Sequence, residues 1–419
     1  VIFTSVKPII KMAVIALGGG LFARMGVLSP EACRANANLV ISMLLPLLIF
    51  STVVPSFDPN NMMTVLAIVL SGMVYMVMGL SFGLIVRWFT PIPVTWKGGI
   101  VAAGFLGNWS DLVIGYISTL TKSEPFSPQD TDLGTAYSSI FMTVQNIVLF
   151  NLGGFQLIKR DFDHRSRADL EKSSSHKLKA ASNSDDIAID EIDHAPTLFS
   201  KTSAVDVTQR CNNNPDLTVR EKVSLGRRVW LAFKPLLNPP SITLIASLIV
   251  ANVQPLKALF IHTGSFSVKD APDQRPPLDF IMETARFVGP SAPVMGLMLL
   301  GAAFSRMSIK SLPKGFWKSI IVMAIFKLVI SPIIGMVWTT QLAKHTSLIR
   351  TENKILQFVM IMTSSTPSAT SLIYLTTIFA PLDKHSVEMS ALSALLLAQY
   401  ALMLVTLPVV VSYSLLYIL

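Results

Sequence analysis

Charge, cysteine and histidine are all scarce in this chain. Only 14% of its 419 residues are Asp, Glu, Lys or Arg, against about 25% in soluble domains, which excludes an ordinary water-soluble fold. The two cysteines, Cys33 and Cys211, fall in polar connections without ligand spacing, so neither a disulfide framework nor a thiolate metal centre is expected. Six histidines, mostly in connections, form no metal-binding cluster and no hydrolytic triad. No Walker sequence is present. Gly18-Gly19-Gly20 follows no strand and opens no βαβ unit, so it reads as close helix packing and not as a phosphate loop. An enzyme and a bound cofactor both lack support. Short alternating strands are missing too, which argues against a β-barrel.

Apolar residues are abundant: 51% of the chain, with a mean hydropathy of +0.56. They gather in blocks of about 20 residues, the length that carries a helix through a hydrocarbon core about 30 Å thick. Lipid offers the backbone no hydrogen-bond partner, so the blocks should be helices. The spans are expected at about 4–24, 36–56, 62–88, 98–120 and 135–157, then at about 236–260, 278–304, 316–341, 355–379 and 389–418. The first block, 8–22, has the length of a signal sequence. It shows no cleavage site of small residues and many spans follow it, so it is read as helix one.

Residues 159–226 interrupt the apolar pattern with a polar, Ser- and Asn-rich stretch of mixed charge that cannot bury enough apolar surface to order itself. The expected organisation is a first membrane repeat over 1–158, a disordered cytoplasmic loop over 159–226 and a second repeat over 227–419. An odd number of helices per half turns the second half upside down relative to the first, the inverted-repeat plan of many secondary transporters. The fold class expected is therefore an all-α polytopic membrane protein of about ten helices in two inverted repeats. Helix two carries Pro46 in MLLPLLIFSTV and helix seven carries Pro293 in VGPSAPVMGLMLLGAAF. Two helices later each half holds its most polar span.

Net charge is +9. Lys and Arg at helix ends concentrate on one side, among them Arg24, Arg34, Arg87, Lys159, Arg160, Arg306 and Lys310, which assigns that side to the cytoplasm. Lys7 and Lys11 oppose the assignment. The excess is attributed to anionic headgroups and not to nucleic acid, because no basic domain or aromatic platform accompanies it.

Helix four holds Gly107-Asn108-Trp109-Ser110-Asp111. Asn, Asp and Gly all weaken a helix, and an ionisable group at this depth marks a functional site by default. Asn108-Trp109-Ser110 is formally a glycosylation sequon, but a span cannot be glycosylated. Helix nine, FVMIMTSSTPSATSLIYLTTIF, surrounds Pro367 with hydroxyls, and proline removes one backbone donor and clashes with the preceding turn. These are two interrupted helices in corresponding positions, the best pointer to a transport site. Half-helix N-termini present free N–H groups that suit a carboxylate. The expected substrate-binding residues are Asn108, Ser110, Asp111, Thr366, Pro367 and Ser368, with Gly107, Pro46, Pro293 and Pro367 as crossover or hinge positions. Lys327, deep in helix eight, is expected to face the interior and pair with Asp111, and these two with Gln145 of helix five are the candidates for coupling. Gln145 and Asn146 have the alternative of a helix–helix hydrogen bond.

These segments resemble the auxin efflux carrier superfamily, in particular its PIN-likes branch and related fungal proteins. The resemblance rests on MLLPLLIFSTV, GFLGNWSDLVIGYI, PLLNPPSITLIASLIVANVQPLKALF and the Pro367 segment, and covers nearly all the spans. It implies inverted five-helix repeats, a scaffold and a transport domain, and helices four and nine that cross where they break. It also implies the endoplasmic reticulum membrane, with the plasma membrane as the alternative, and allows a homodimer. The proline common after the helix-four polar pair is replaced here by Asp111-Leu112-Val113. The acidic–basic pair of some plant members is missing from TVLAIVLSGMVYMVMGL. Auxin itself is therefore not implied. The function expected is secondary transport of a small organic anion. The alternatives are a non-transporting receptor or scaffold, and a sodium-coupled carrier of steroid-like anions.

The loop generates a first prediction. In sealed microsomes, added protease should cleave within 159–226 from the cytoplasmic face and leave the apolar spans intact. Cleavage that requires permeabilised membranes would reverse the orientation.

Overall fold

The computed structural model describes residues 2–57, 62–109, 111–121, 126–127, 130–163, 238–264, 266, 268–350, 352–381 and 386–418. Nearly all the secondary structure is helical, and no β-strand occurs among the described residues. In chain order the helices are α1 (Ile2–Arg24), α2 (Pro30–Ser56), α3 (Met62–Phe89), α4 (Lys97–Phe105), α5 (Asp111–Leu120), α6 (Asp130–Asn146) and α7 (155–163). After the central segment come α8 (Pro239–Asn252), α9 (Asp279–Val288), α10 (Ser291–Ser305), α11 (Phe316–His345), α12 (Lys354–Ser364), α13 (Ser371–Phe379) and α14 (Val387–Tyr417).

Seven helices among the described residues are long and apolar enough to cross a membrane. The expected spans four, six and nine are shorter or broken. Span four divides into α4 and α5, and span nine into α12 and α13, at their polar centres. Span six stops at Val253 because Pro255 cannot continue the ladder, and a four-residue turn, Gln254–Lys257, follows. Span five ends in a wide π turn, Ile147–Asn151, and Gly153, at φ +80°, interrupts the helix in a conformation that glycine alone adopts freely. Helix α7 then runs to residue 163, past the expected start of the polar loop at 159. The rest of that loop, Cys211 included, lies outside the described residues.

Helix α7 is ordered for a visible reason. Asp161 is 8% exposed, and its carboxylate accepts the N–H of Gly98 at 2.9 and 2.8 Å and that of Gly99 at 2.8 Å. The first N–H groups of a helix have no partner inside it, so Asp161 caps the N-terminus of α4 from a distant part of the chain. The negative charge also suits the positive end of the helix dipole.

Two wide turns accommodate proline. In α2 a π turn over Val40–Leu44 precedes Pro46, and the Leu45 N–H reaches back five residues to the Val40 carbonyl. In α11 the π turn Phe326–Ile330 precedes Pro332, with the Ser331 N–H bonded to the Phe326 carbonyl. Pro293 lies in the first turn of α10, where a missing N–H leaves nothing unpaired. Pro46 and Pro293 thus sit near the starts of helical segments and not in the breaks of spans four and nine.

Lipid provides little drive for helices to associate, so close backbone contact does much of the work. Helix α1 lies against α10 so tightly that a Cβ built on Gly301 would stand 1.7 Å from the Ala16 carbonyl oxygen, and one on Gly19 would stand 2.1 Å from that of Met298. Helix α3 meets α4 the same way, through Gly79 and Gly104. Gly18, beside Gly19 on α1, has nothing within 4 Å of its would-be Cβ.

That contrast is testable. Gly301→Val should lower the thermal midpoint of the purified protein, by at least the ~1–3 kcal/mol that overpacking costs, and Gly18→Ala should leave it unchanged. Equal behaviour of the two variants would refute the α1–α10 contact.

Candidate functional site

Helix α4 ends because Leu106 turns out of the helical region, at φ −86° and ψ 119°. Helix α12 ends at Ser364, three residues before Pro367. Each break strands backbone groups that lipid cannot satisfy, and each satisfies the other. The Asn108 N–H donates to the Pro367 carbonyl at 2.9 Å, and the Ala369 N–H donates to the Leu106 carbonyl at 3.1 Å. Gly107 and Ser368 form an antiparallel bridge, a two-residue fragment of sheet inside a helical protein. The Ser368 hydroxyl adds a bond of 2.7 Å to the Ala103 carbonyl.

The remaining N–H groups at the breaks are met by two glutamines in parallel roles. Gln145 of α6 accepts the Gly107 N–H at 3.0 Å, and Gln399 of α14 accepts the Ser368 N–H at 2.7 Å. Gln145 was legible in sequence as an inward amide. Gln399 was not singled out, although Ala-Gln-Tyr in an otherwise apolar run of helix ten was the available signal. Its Nε2, like Nδ2 of Asn146 next to Gln145 in sequence, is buried and has no partner among the described residues.

Lys327 faces the interior, 6% exposed. Its ammonium donates to the carbonyls of Gly104 at 3.0 Å and Leu106 at 3.2 Å. Those carbonyls belong to the C-terminal end of half-helix α4, the negative end of its dipole, where a cation is stabilising. The corresponding end of α12 receives a neutral donor, the Ser331 hydroxyl, at 2.6 Å from the Ser364 carbonyl. Ser331 and Lys327 both come from α11, which closes the two breaks from one side.

Of the residues expected at the site, Asn108, Thr366, Pro367 and Ser368 are brought together with Gly107, Gln145 and Lys327. Thr366 turns its hydroxyl back to the Thr363 carbonyl at 3.0 Å. Ser110 lies outside the described residues. Asp111 opens α5, and its side chain, with the expected ion pair to Lys327, also lies outside them. Asn108 and Ser368 are 2% and 0% exposed. A cavity of about 10 Å³ touches Lys327, Trp109 and Thr366, room for about one water. The Asn108 amide instead reaches outward, donating through Nδ2 to the Tyr400 hydroxyl at 3.4 Å. Tyr400 lines an open groove of about 810 Å³ between α1, α10 and α14 whose walls are otherwise mostly apolar, with Leu17, Leu21 and Leu404 among them exposed. That volume lies within the range of small-molecule sites, ~300–1,000 Å³.

Lys327→Met separates structural from functional roles for the ammonium. Two charge-assisted hydrogen bonds of about 1.5–3 kcal/mol each are lost, while the removal of a buried cation relieves several kcal/mol of desolvation. The variant should unfold at or above the wild-type temperature and yet lose substrate flux. A large drop in thermal midpoint with flux per folded molecule intact would make Lys327 a purely structural prop.

Comparison with known proteins follows the same outline. A family profile described as membrane transport protein matches residues 2–411. Protein ECM3 of Saccharomyces cerevisiae is 28% identical, over 98% of this chain and 97% of its own length. The uncharacterized transporter YLR152C of the same yeast is 25% identical, over 99% of this chain and 98% of its own. Protein PIN-LIKES 2 of Arabidopsis thaliana is 24% identical, over 88% of this chain and 85% of its own. The profile describes transport proteins and not enzymes. With the match running nearly end to end and the apolar helices to accompany it, this chain belongs to the auxin efflux carrier family of multi-pass membrane transport proteins.

Proposed function

We propose that the protein is a secondary transporter that carries a small organic anion, of the auxin-like carboxylate class, by alternating access. The carrying observation is the hydrogen-bonded meeting of two helix breaks, Asn108 N–H with the Pro367 carbonyl and Ala369 N–H with the Leu106 carbonyl. Broken helices in corresponding halves are where secondary transporters build their sites. The parallel use of Gln145 and Gln399, each on the helix after a broken one, supports ten helices in two inverted repeats over 1–158 and 227–419. On this reading spans four, six and nine complete the count although they fall short of full-length helices.

The substrate's apolar body occupies the groove between α1, α10 and α14, and its carboxylate turns toward Tyr400 and Asn108. The spare donors on Gln399 and Asn146 supply further hydrogen bonds once the Asn108–Tyr400 contact opens. Lys327 adds a positive field behind the bridge, so no arginine needs to touch the ligand. Ser110, Asp111, Thr366, Pro367 and Ser368 complete the proposed binding region, and Asp111 and Gln145 join Lys327 as coupling candidates. The membrane is that of the endoplasmic reticulum, by the similarity to PIN-likes proteins.

Proteoliposomes test the reading. Uptake of a labelled aromatic carboxylate should exceed that of the matching amide, and Asn108→Ala should weaken binding by about 1–3 kcal/mol, roughly five- to 150-fold, without loss of folded protein. Pro367→Ala should also reduce flux, because a restored N–H lets α12 continue into α13. A protein that binds carboxylates but moves none would be a receptor. Unchanged affinity and flux in both variants would place the site elsewhere.

A further inference from the structure

A second anion site can be argued from arginines far in sequence from the crossover. Arg34 lies on α2 and Arg306 just past the end of α10. Both line a cavity of about 70 Å³, together with Cys33, Thr377 of α13 and Ser386 and Ser390 at the start of α14. The guanidinium groups are only half used. Arg34 donates through Nη2 to the carbonyl of Ala380, and Arg306 donates through Nη1 to the Cys33 sulfur at 3.4 Å, a weak acceptor. Arg34 Nε and Arg306 Nη2 are buried without a partner among the described residues. No carboxylate forms an ion pair with either arginine among the described residues.

A buried donor without a partner costs about 1–3 kcal/mol, and more when it is charged, so two of them on one cavity need an explanation. A bound water or ion is one such explanation. The carboxylates nearby among the described residues do not partner these donors. Glu31 interacts with both arginines only through space from the exposed first turn of α2. Glu388 is engaged by the Ser386 hydroxyl at 2.7 Å.

We infer that this cavity binds a phosphate group between Arg34 and Arg306. Guanidinium N–H groups arriving from two helices, with the hydroxyl of Ser390 on a further wall, suit a tetrahedral oxyanion better than a planar carboxylate. The volume admits several waters, at about 10–15 Å³ each, and so a phosphate, but not an aromatic acid. The N-terminus of α14, a helix of 31 residues, faces the same corner and favours negative charge. The walls come from α2 and α10 on one side and from α13 and α14 on the other, so an anion here ties the second half of broken span nine to helices outside the crossover. Arg34 and Arg306 belong to the basic side, where both free phosphate and the phosphate of an anionic lipid headgroup are at hand.

The two sources are separated by the test. The thermal midpoint of the full-length purified protein is measured with inorganic phosphate against chloride at equal ionic strength. It is then measured in phosphatidylcholine nanodiscs with and without phosphatidylinositol 4-phosphate. A saturable rise with inorganic phosphate assigns a soluble ligand, and a rise only with the phosphoinositide assigns a headgroup. Arg34→Gln and Arg306→Gln should each weaken the response by about tenfold or more. If those variants fail to fold, Ser390→Asp decides, since a carboxylate placed in the cavity should abolish the response. No rise with either probe in the wild-type protein, or an undiminished response in the variants that fold, overturns the assignment.

Discussion

A backbone that stops being helical inside a membrane must find every hydrogen-bond partner within the protein, and this protein meets that demand by making two such stops in the same place. The exchanges between Leu106–Asn108 and Pro367–Ala369 leave each break dependent on the other. Much of the surrounding polar chemistry follows from that dependence. Gln145 and Gln399 take the N–H groups that the bridge leaves over, and Lys327 and Ser331 take the carbonyls. Each is a polar residue whose burial would be costly anywhere else in the bundle.

The packing around the crossover is close where it is dry. Gly79 and Gly104 bring α3 against α4 at backbone distance, and Gly19 and Gly301 do the same for α1 and α10. Side chains as large as Trp96, Tyr116, Phe141 and Phe358 fill the interior. A large opening on the crossover's margin, beside Tyr400, is bounded by α14 and by the tightly joined α1–α10 pair.

Seven of the expected spans and the two breaks were legible in the sequence because they are written in composition. Apolar runs of membrane length stand out, and so do Asn, Ser and Pro at a depth where lipid cannot solvate them. What remained hidden was pairing. Lys327 could be read as interior, but nothing in a string of residues says that its partners are main-chain carbonyls of α4. Gln399 carried no local signal beyond being polar in an apolar helix, and its role depends on a residue 31 positions away. The boundary of the polar segment was misplaced for a similar reason. Lys159-Arg160-Asp161 reads as the start of a loop, yet Asp161 is held by Gly98 and Gly99, more than 60 residues earlier.

Helix α4 is therefore pinned at both ends, by a carboxylate at the positive pole of its dipole and an ammonium at the negative pole. A nine-residue helix is a rod about 13 Å long, at 1.5 Å per residue, and close-packed interiors yield little under load. Such a rod transmits displacement without shortening. A shift of Asp161 along the axis arrives at Leu106, and through its carbonyl at Ala369, nearly undiminished. The stretch of chain that leads into the long polar segment is thus mechanically in series with the crossover, although neither element lies beside the other in sequence.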